Sequence, residues 1–167
     1  MAKEIYTRKE YATTQIAYLA GIIDGEGSIY IGNFSSNPVT GNPYYQTNVQ
    51  VTNTDKPLID WLSQTFGGLI SKRTPRQMAH NSTKQAWVWT ASGDRVTHLC
   101  EIILPFVICK KRQCEIMLKM RATYTKLQHK KGSQGVQAHS KELLDLRQSY
   151  MDEMRSLHCR TYSYKNG

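Results

Sequence analysis

The chain lacks the cysteine and histidine spacings that mark metal-bound or disulfide-bonded modules. Its four cysteines form no C-x-x-C pair, and its five histidines are scattered without the spacing of zinc ligands. The sequence therefore does not indicate a structural zinc site, and nothing suggests secretion, so a disulfide framework is not expected. We expect the cysteines to act as small apolar residues of the core.

Long apolar runs are also missing. No run of about 18 apolar residues occurs, so we expect neither a transmembrane helix nor a membrane partner. Residues 1–15 are polar and lack the apolar stretch of a signal peptide. We therefore expect an intracellular protein that is not secreted. An organelle-encoded protein needs no transit peptide, so a chloroplast or mitochondrion remains as open as a bacterial or phage cytoplasm.

Positive charge is what the chain has in excess, and the excess is local. The formal net charge is +9. Between residues 70 and 131 there are 13 Lys and Arg against 3 acids, whereas the rest of the chain holds 9 against 10. Charge that serves only solubility is spread more evenly and mixed in sign. A basic surplus confined to one stretch instead indicates a face that binds a polyanion.

Residues 19–28, LAGIIDGEGS, organise the chain. Apolar residues at helical spacing run from Ile16 to Ile23 and then stop at two acids. Glycines flank Glu26, so the backbone can turn there, and residues 28–31 have the composition of a strand. An acid at a helix C-terminus faces the negative end of the dipole. A bound divalent metal would compensate this; the alternative is a glycine-rich turn with two solvated acids.

This decapeptide resembles the signature of the LAGLIDADG homing endonucleases. The match covers Leu19, Ala20, Gly21, Asp24, Gly25, Glu26 and Gly27, with the apolar pair Ile22 and Ile23 where the family is also apolar. A looser resemblance spans residues 15–124. It implies an α+β fold, the αββαββα LAGLIDADG half-unit, whose four-stranded antiparallel sheet forms a DNA-binding saddle and is followed here by C-terminal helices.

Residue patterns along the chain predict the same order of elements. The first expected helix starts at Tyr11 or Thr14 and ends at Asp24, and four further helices are expected at 56–65, 93–104, 111–124 and 140–157. Expected strands cover 28–34, 44–53, 69–74 and 85–91. Thr13 or Thr14 and Asp55 are candidate helix caps. The sequence does not decide which face of the sheet Trp87 and Trp89 occupy, since they suit either the core or the flank.

We expect one domain with four parts. These are an N-terminal extension (1–13), the endonuclease core (14–124), a basic loop with a C-terminal helix (125–157) and a tail (158–167). No second copy of the signature occurs in the chain.

The second strand has one apolar face and one polar face. Amides on the polar face, such as Gln46 and Gln50, can make bidentate contacts to adenine edges in the DNA major groove. An ordinary hydrated sheet face is the alternative, and the adjacent positive charge favours double-stranded DNA. The predicted DNA-binding residues are Ser28, Tyr30, Gly32, Tyr44, Gln46, Asn48, Gln50, Thr52, Lys72, Thr74, Arg76 and Lys84. Whether Thr52 or Asn53 is the last contact of the strand depends on one residue of register.

In this family the signature helices of two units pack against each other. One acid per chain is too few for a two-metal site, and Mg²⁺ commonly takes only one or two protein carboxylates. We therefore predict a homodimer with the helix contact at the two-fold axis. Its predicted interface residues are Ala17, Ala20, Gly21 and Asp24, with Asp24 in a supporting structural role.

The resemblance implies that Glu26 binds the metal, with the Gly25 carbonyl as a second ligand. The expected cofactor is Mg²⁺ or Mn²⁺, whereas Ca²⁺ would bind without supporting cleavage. Lys110 aligns with the family lysine that stabilises phosphate charge, Asn53 with a residue that positions water, and Lys56 with a basic residue. For residues 110–112, plain phosphate anchoring is the alternative.

The leading prediction is a Mg²⁺-dependent homing endonuclease that cuts both strands of a long, nearly palindromic DNA site and promotes intron or intein mobility. A non-cleaving RNA maturase or DNA-binding regulator on the same fold is the alternative. A motif without its acid would favour that alternative, and here the acid, Glu26, is present.

Overall fold

The computed structural model describes residues 7–36, 38, 41–73, 84–125 and 139–158. Within them the helices are α1 (Thr13–Glu26), α2 (Lys56–Phe66), α3 (Asp94–Ile103), α4 (Lys111–Thr125) and α5 (Lys141–His158). The strands are β1 (Gly27–Ser36), β2 (Pro43–Asn53), β3 (Leu69–Lys72) and β4 (Trp87–Ser92). All strand pairs are antiparallel, in the order β1-β2-β4-β3. This confirms the predicted α+β half-unit with additional C-terminal helices.

Helix α1 runs directly into β1. It ends at Glu26, two residues later than predicted, so the predicted metal-binding acid lies in its last turn. A Cβ atom at Gly27 would lie 2.6 Å from Ile23 Cα. Only glycine therefore fits where the chain leaves the helix and enters the strand.

The helix caps differ from the predictions. Ala12, rather than Thr13 or Thr14, precedes the first turn of α1, and Gln15 Oε1 accepts a hydrogen bond of 3.1 Å from Ala12 N. Both threonines lie inside the helix. Asp55 does precede α2, but its side chain makes no capping hydrogen bond.

The sheet has one face against the helices and one open face. Val49 and Val51 of β2 are fully buried under the helices, as their alternation predicted. Trp89 is on the same face and is also fully buried, and its Nε1 donates to Gly67 O at 2.6 Å. Trp87 is half-buried and packs against this core. Both tryptophans therefore lie on the face of the sheet that packs against the helices.

Helix α5 is fastened to α4 and β2 by side chains. Arg147 is 2% exposed, and its Nε donates to Thr123 Oγ1 at 2.9 Å. Its guanidinium carbon also lies 4.4 Å from the centre of the Tyr124 ring. Gln148 Oε1 accepts a hydrogen bond of 3.2 Å from Tyr45 Oη. The C-terminal helix is therefore an integral part of the unit.

Among the described residues, no helix is both long enough and apolar enough to cross a bilayer.

Candidate metal and nucleic-acid site

The C-terminal end of α1 contacts the segment between α3 and α4. Asp24 Oδ2 accepts a hydrogen bond of 2.6 Å from Ile108 N, and Asp24 Oδ1 accepts one of 3.0 Å from Lys110 N. Lys110 Nζ donates to the Asp24 carbonyl oxygen at 2.7 Å. The lysine thus supplies positive charge at the negative end of the helix. A compensating charge was expected from a bound metal, whereas Lys110 already provides one within the chain.

Glu26 is exposed in the last turn of α1 and contacts the end of β2. Asn53 Nδ2 donates a hydrogen bond to Glu26 Oε2. Asn53 Oδ1 accepts one of 2.8 Å from Asp55 N, which fixes the orientation of the amide. Asn53 pairs with Trp87 and therefore faces the helices, whereas Thr52 lies on the open face. The register places Asn53 at the acid and leaves Thr52 as the last residue of β2 on the open face.

The oxygen atoms at this helix end suit a hard divalent cation, but one chain offers few of them. Glu26 contributes one carboxylate, and the neighbouring Gly25 is exposed. In the part of the chain that the structure describes, no group of three or more His, Cys, Asp and Glu residues is placed to hold a metal. Such a donor set fits Mg²⁺, which commonly takes only one or two protein carboxylates and keeps several water ligands.

The structure does not bring Lys56 into this arrangement. Its Nζ pairs with Asp60 Oδ1 at 2.5 Å along α2. Arg112 is also engaged: it pairs with Glu153 of α5 and, at 3.1 Å, with Glu115. The hydrogen bond to Glu153 raises the pKa of the Arg112 guanidinium. Of the basic residues predicted near the reacting phosphate, only Lys110 reaches the end of α1.

The outer face of α1 lines an open groove of about 410 Å³. A Cβ atom at Gly21 or Gly25 would meet no atom within 4 Å, so another helix can approach closely there. The lining residues are Ala17, Tyr18, Gly21, Ile22, Gly25, Glu26 and Leu58.

Two of the predicted interface residues have contacts within their own chain. Ala20 is 1% exposed and packs in the core of its own chain, because it lies on the same stripe as Leu19 and Ile23. The prediction that Ala20 lies at the helix contact is therefore wrong. Asp24 is half-buried, and both of its carboxylate oxygens accept hydrogen bonds within the chain.

Most of the predicted DNA-contacting residues share the open face of the sheet. Ser28 pairs with Gln50, Tyr30 with Asn48, and Gly32 with Gln46.

The Gln50 amide on this face is oriented by β4, since its Nε2 donates to Thr90 Oγ1 at 3.1 Å. Tyr44 and Gln46 are exposed towards the far end of β2.

Two positions differ from the prediction, one in burial and one in the face it occupies. Asn48 is only 2% exposed, because the Tyr30 hydroxyl accepts a hydrogen bond of 2.9 Å from Asn48 Nδ2 and the tyrosine helps to cover it. Lys72 pairs with Trp87, so it lies on the helix side of edge strand β3, although it remains exposed. Lys84 is exposed, and Thr74 and Arg76 lie outside the described residues.

The register adds residues to the open face that were not predicted from the sequence. Strand β4 contributes Thr90 opposite Gln50 and Ser92 opposite Asn48 on the open face. Strand β3 contributes Leu69, which is 75% exposed and pairs with Thr90. Alternation within residues 85–91 was the available signal, but it could be used only once the side of the two tryptophans was known.

No protein-family model and no curated protein matches the sequence. Solved structures do match. The homing endonuclease I-CvuI, in complex with its target in the presence of Ca, has a TM-score of 0.69 and 15% identity, covering 87% of this chain and 82% of that one. The archaeal intron-encoded homing endonuclease I-Vdi141I, complexed with DNA, has a TM-score of 0.56 and 16% identity, covering 86% and 98%.

A third match is to I-SmaMI bound to an uncleaved DNA target in the presence of calcium ions. Its TM-score is 0.58 and its identity 22%, and the match covers 84% of this chain but only 45% of the I-SmaMI chain. A LAGLIDADG homing endonuclease, I-LtrWI, is among the matched structures. With its antiparallel sheet and its signature helix ending at Glu26, the chain has the fold of the LAGLIDADG homing endonucleases.

Proposed function

We propose that the chain is a site-specific homing endonuclease that hydrolyses phosphodiester bonds in double-stranded DNA. The observation that carries this proposal is the arrangement at the end of α1. There the exposed carboxylate of Glu26 contacts the Asn53 amide, and the Lys110 ammonium binds the same helix end. The DNA complexes of I-CvuI and I-Vdi141I support duplex DNA as the substrate.

DNA would bind on the open face of the sheet. Its amides and hydroxyls can read base edges in the major groove, and the basic surplus between residues 70 and 131 would contact phosphates. The hydrogen bond from Gln50 to Thr90 leaves Gln50 Oε1 and one amide N–H for a base. One acceptor and one donor are what an amide side chain needs for a bidentate contact to the N6 and N7 atoms of adenine.

The working unit in this proposal is a homodimer. A single chain supplies one candidate metal-binding carboxylate, and the groove along α1 exposes small residues at the places where a second helix would approach. A two-fold axis through this groove would bring two copies of Glu26 together. Because the chain matches less than half of I-SmaMI, it is also of the size expected for one of two units.

Glu26 and the Gly25 carbonyl would hold Mg²⁺ or Mn²⁺ between the two copies. When bound, such an ion polarises the phosphate and lowers the pKa of a bound water. Asn53 would hold the Glu26 carboxylate in place, and its amide would also orient a water beside that carboxylate. Lys110 uses one ammonium proton on Asp24 O, so two donors remain for a phosphate oxygen.

Cleavage of the intron-free host allele, carried on a plasmid, tests the proposal. With Mg²⁺ the wild-type chain should cut both strands at one site, and Ca²⁺ should support binding alone. Glu26→Gln should abolish cutting and retain binding, whereas Glu142→Gln, an exposed acid of α5, should behave as wild type. Normal cutting by Glu26→Gln would refute the metal assignment.

Binding of intron RNA without DNA cleavage would favour the maturase alternative. A single cut in the intron-free allele would support a role in intron or intein mobility.

A further inference from the structure

Asp24, the first acid of the signature stretch, connects two segments that are far apart in sequence. Its two carboxylate oxygens accept the N–H groups of Ile108 and Lys110, at 2.6 and 3.0 Å. The Lys110 side chain returns to the same residue, since its Nζ donates to the Asp24 carbonyl at 2.7 Å. Backbone and side chain of Lys110 are therefore both held by one aspartate.

The position of this aspartate resolves an electrostatic conflict. A carboxylate at the end of α1 should be repelled by the helix dipole. Lys110 O, however, accepts the hydrogen bond of 3.1 Å from Cys114 N that opens α4. Asp24 therefore also lies at the N-terminus of α4, where a negative charge is stabilised and where hydrogen bonds from N–H groups to a carboxylate are strong.

The lysine has little freedom as a result. A free lysine has four rotatable bonds, whereas Lys110 has its backbone N–H and its ammonium fixed at atoms of the same residue. Its ammonium is thus held at the carbonyl oxygen of Asp24, one turn or less from Glu26 in the helix that carries that acid. A displacement of about 1 Å in a reacting group can cost about 100-fold in rate.

We propose that Asp24 is the positioning residue for Lys110: its carboxylate sets the 108–110 turn so that the ammonium stays beside the Glu26 site. This inference rests on the proposed endonuclease function and assigns Asp24 neither to the metal nor to the dimer contact. Asp24→Asn keeps the shape of the side chain but replaces one acceptor oxygen by an NH₂ group, which faces a backbone N–H and cannot accept its hydrogen bond.

A double-mutant cycle separates positioning from a purely structural role. Lys110→Met should lower kcat by about 100-fold, and Asp24→Asn by about 10- to 100-fold, each with the Kd for DNA within about twofold of wild type. The double variant should be no slower than Lys110→Met alone, because both changes remove the same contribution. Asp152→Asn, an exposed aspartate of α5, is the matched control and should keep wild-type kcat. If the two kcat losses multiply in the double variant, Asp24 does not act through Lys110.

Amide hydrogen exchange tests the contact without any cleavage. The N–H groups of Ile108 and Lys110 should exchange slowly in the wild type, and the one that loses its acceptor in Asp24→Asn should exchange at least about 10-fold faster, with Asp152→Asn unchanged. Unchanged exchange rates in Asp24→Asn would overturn the proposal. If the wild type cuts no DNA, the endonuclease function fails, and the exchange rates alone decide whether Asp24 holds the turn.

Discussion

Asn53 donates a hydrogen bond from its amide nitrogen to the Glu26 carboxylate, across 27 positions of sequence. The bond joins the last residue of β2 to the last residue of α1. Asn53 is itself held by the N–H of Asp55, at 2.8 Å from its Oδ1. The acid proposed to bind the metal is thus oriented by a partner that is already fixed.

Removing this partner should weaken the function of Glu26 without affecting the fold. We expect Asn53→Ala to raise the Mg²⁺ concentration for half-maximal cleavage, or to lower the rate, by about 10- to 100-fold, as for other residues that orient metal ligands. A metal titration of the cleavage rate measures both effects. The neighbouring exposed threonine provides the control, because Thr54→Ala should leave the titration unchanged. An unchanged Mg²⁺ dependence and rate in Asn53→Ala would contradict the role given to Asn53.

The face of α1 that carries Gly21 should determine the oligomeric state. Gly21→Arg places a long charged side chain where a second helix would pack, and a Cβ atom there meets nothing in its own chain. We therefore expect a folded monomer that does not cut DNA, detected by light scattering and circular dichroism. Gln64→Arg adds the same charge at an exposed position of α2 and should remain dimeric. A wild-type monomer, or a Gly21→Arg variant that still dimerises, would refute the proposed interface.

The order of elements could be predicted because hydrophobic periodicity is a local property. The alternation in β2 correctly assigned Thr47, Val49 and Val51 to the buried face. The end of α1 was placed too early, since two glycines normally indicate a break. Here the helix continues through Gly25, and packing against Ile23 makes Gly27 the end.

The contacts of the site depend on tertiary structure and could not be predicted in the same way. Nothing near Asp24 in sequence indicates that the turn at residues 108–110 would bind its carboxylate. Helical spacing places Ala20 on the apolar stripe of α1 with Leu19 and Ile23, but it was assigned to the helix contact for its small size, which is the wrong face. The burial of Asn48 under Tyr30 likewise depends on a cross-strand pair.

Arg147 should be important for stability. It is 2% exposed, and burial lowers the pKa of its guanidinium. No ion pair joins it to an acid within the described residues, where Thr123 and Tyr124 are its contacts. Arg147→Ala should reduce the free energy of unfolding by about 2–5 kcal/mol, through the cavity it leaves and the lost hydrogen bonds.

Arg147→Met should cost much less than the alanine variant, because it keeps most of the volume and removes a buried charge. Urea unfolding measures all three proteins. Arg155→Ala, on the exposed side of α5, is the control and should stay within about 0.5 kcal/mol of wild type. Equal losses for the alanine and methionine variants would show that the charge, rather than the packing, is what Arg147 contributes.

His139 should make stability depend on pH in the mildly acidic range. Burial, and then the nearby charge of Arg147, lower the pKa of this histidine below 6.5. The unfolded chain therefore binds a proton more readily than the folded chain between the two pKa values, and stability rises with pH across that window. Lowering the pH below about 6.5 should destabilise the wild type, because the folded environment disfavours the charged form of the ring.

Two variants distinguish the causes of this shift. His139→Gln should remove its part of the acid destabilisation, seen as a flatter plot of unfolding free energy against pH between 5 and 7. In Arg147→Met, the NMR titration midpoint of His139 should move up towards its ordinary value, since one of the two causes of the shift is gone. It should not reach that value, because desolvation remains and is the larger cause. A midpoint that Arg147→Met leaves unchanged would show that burial alone lowers the pKa of His139.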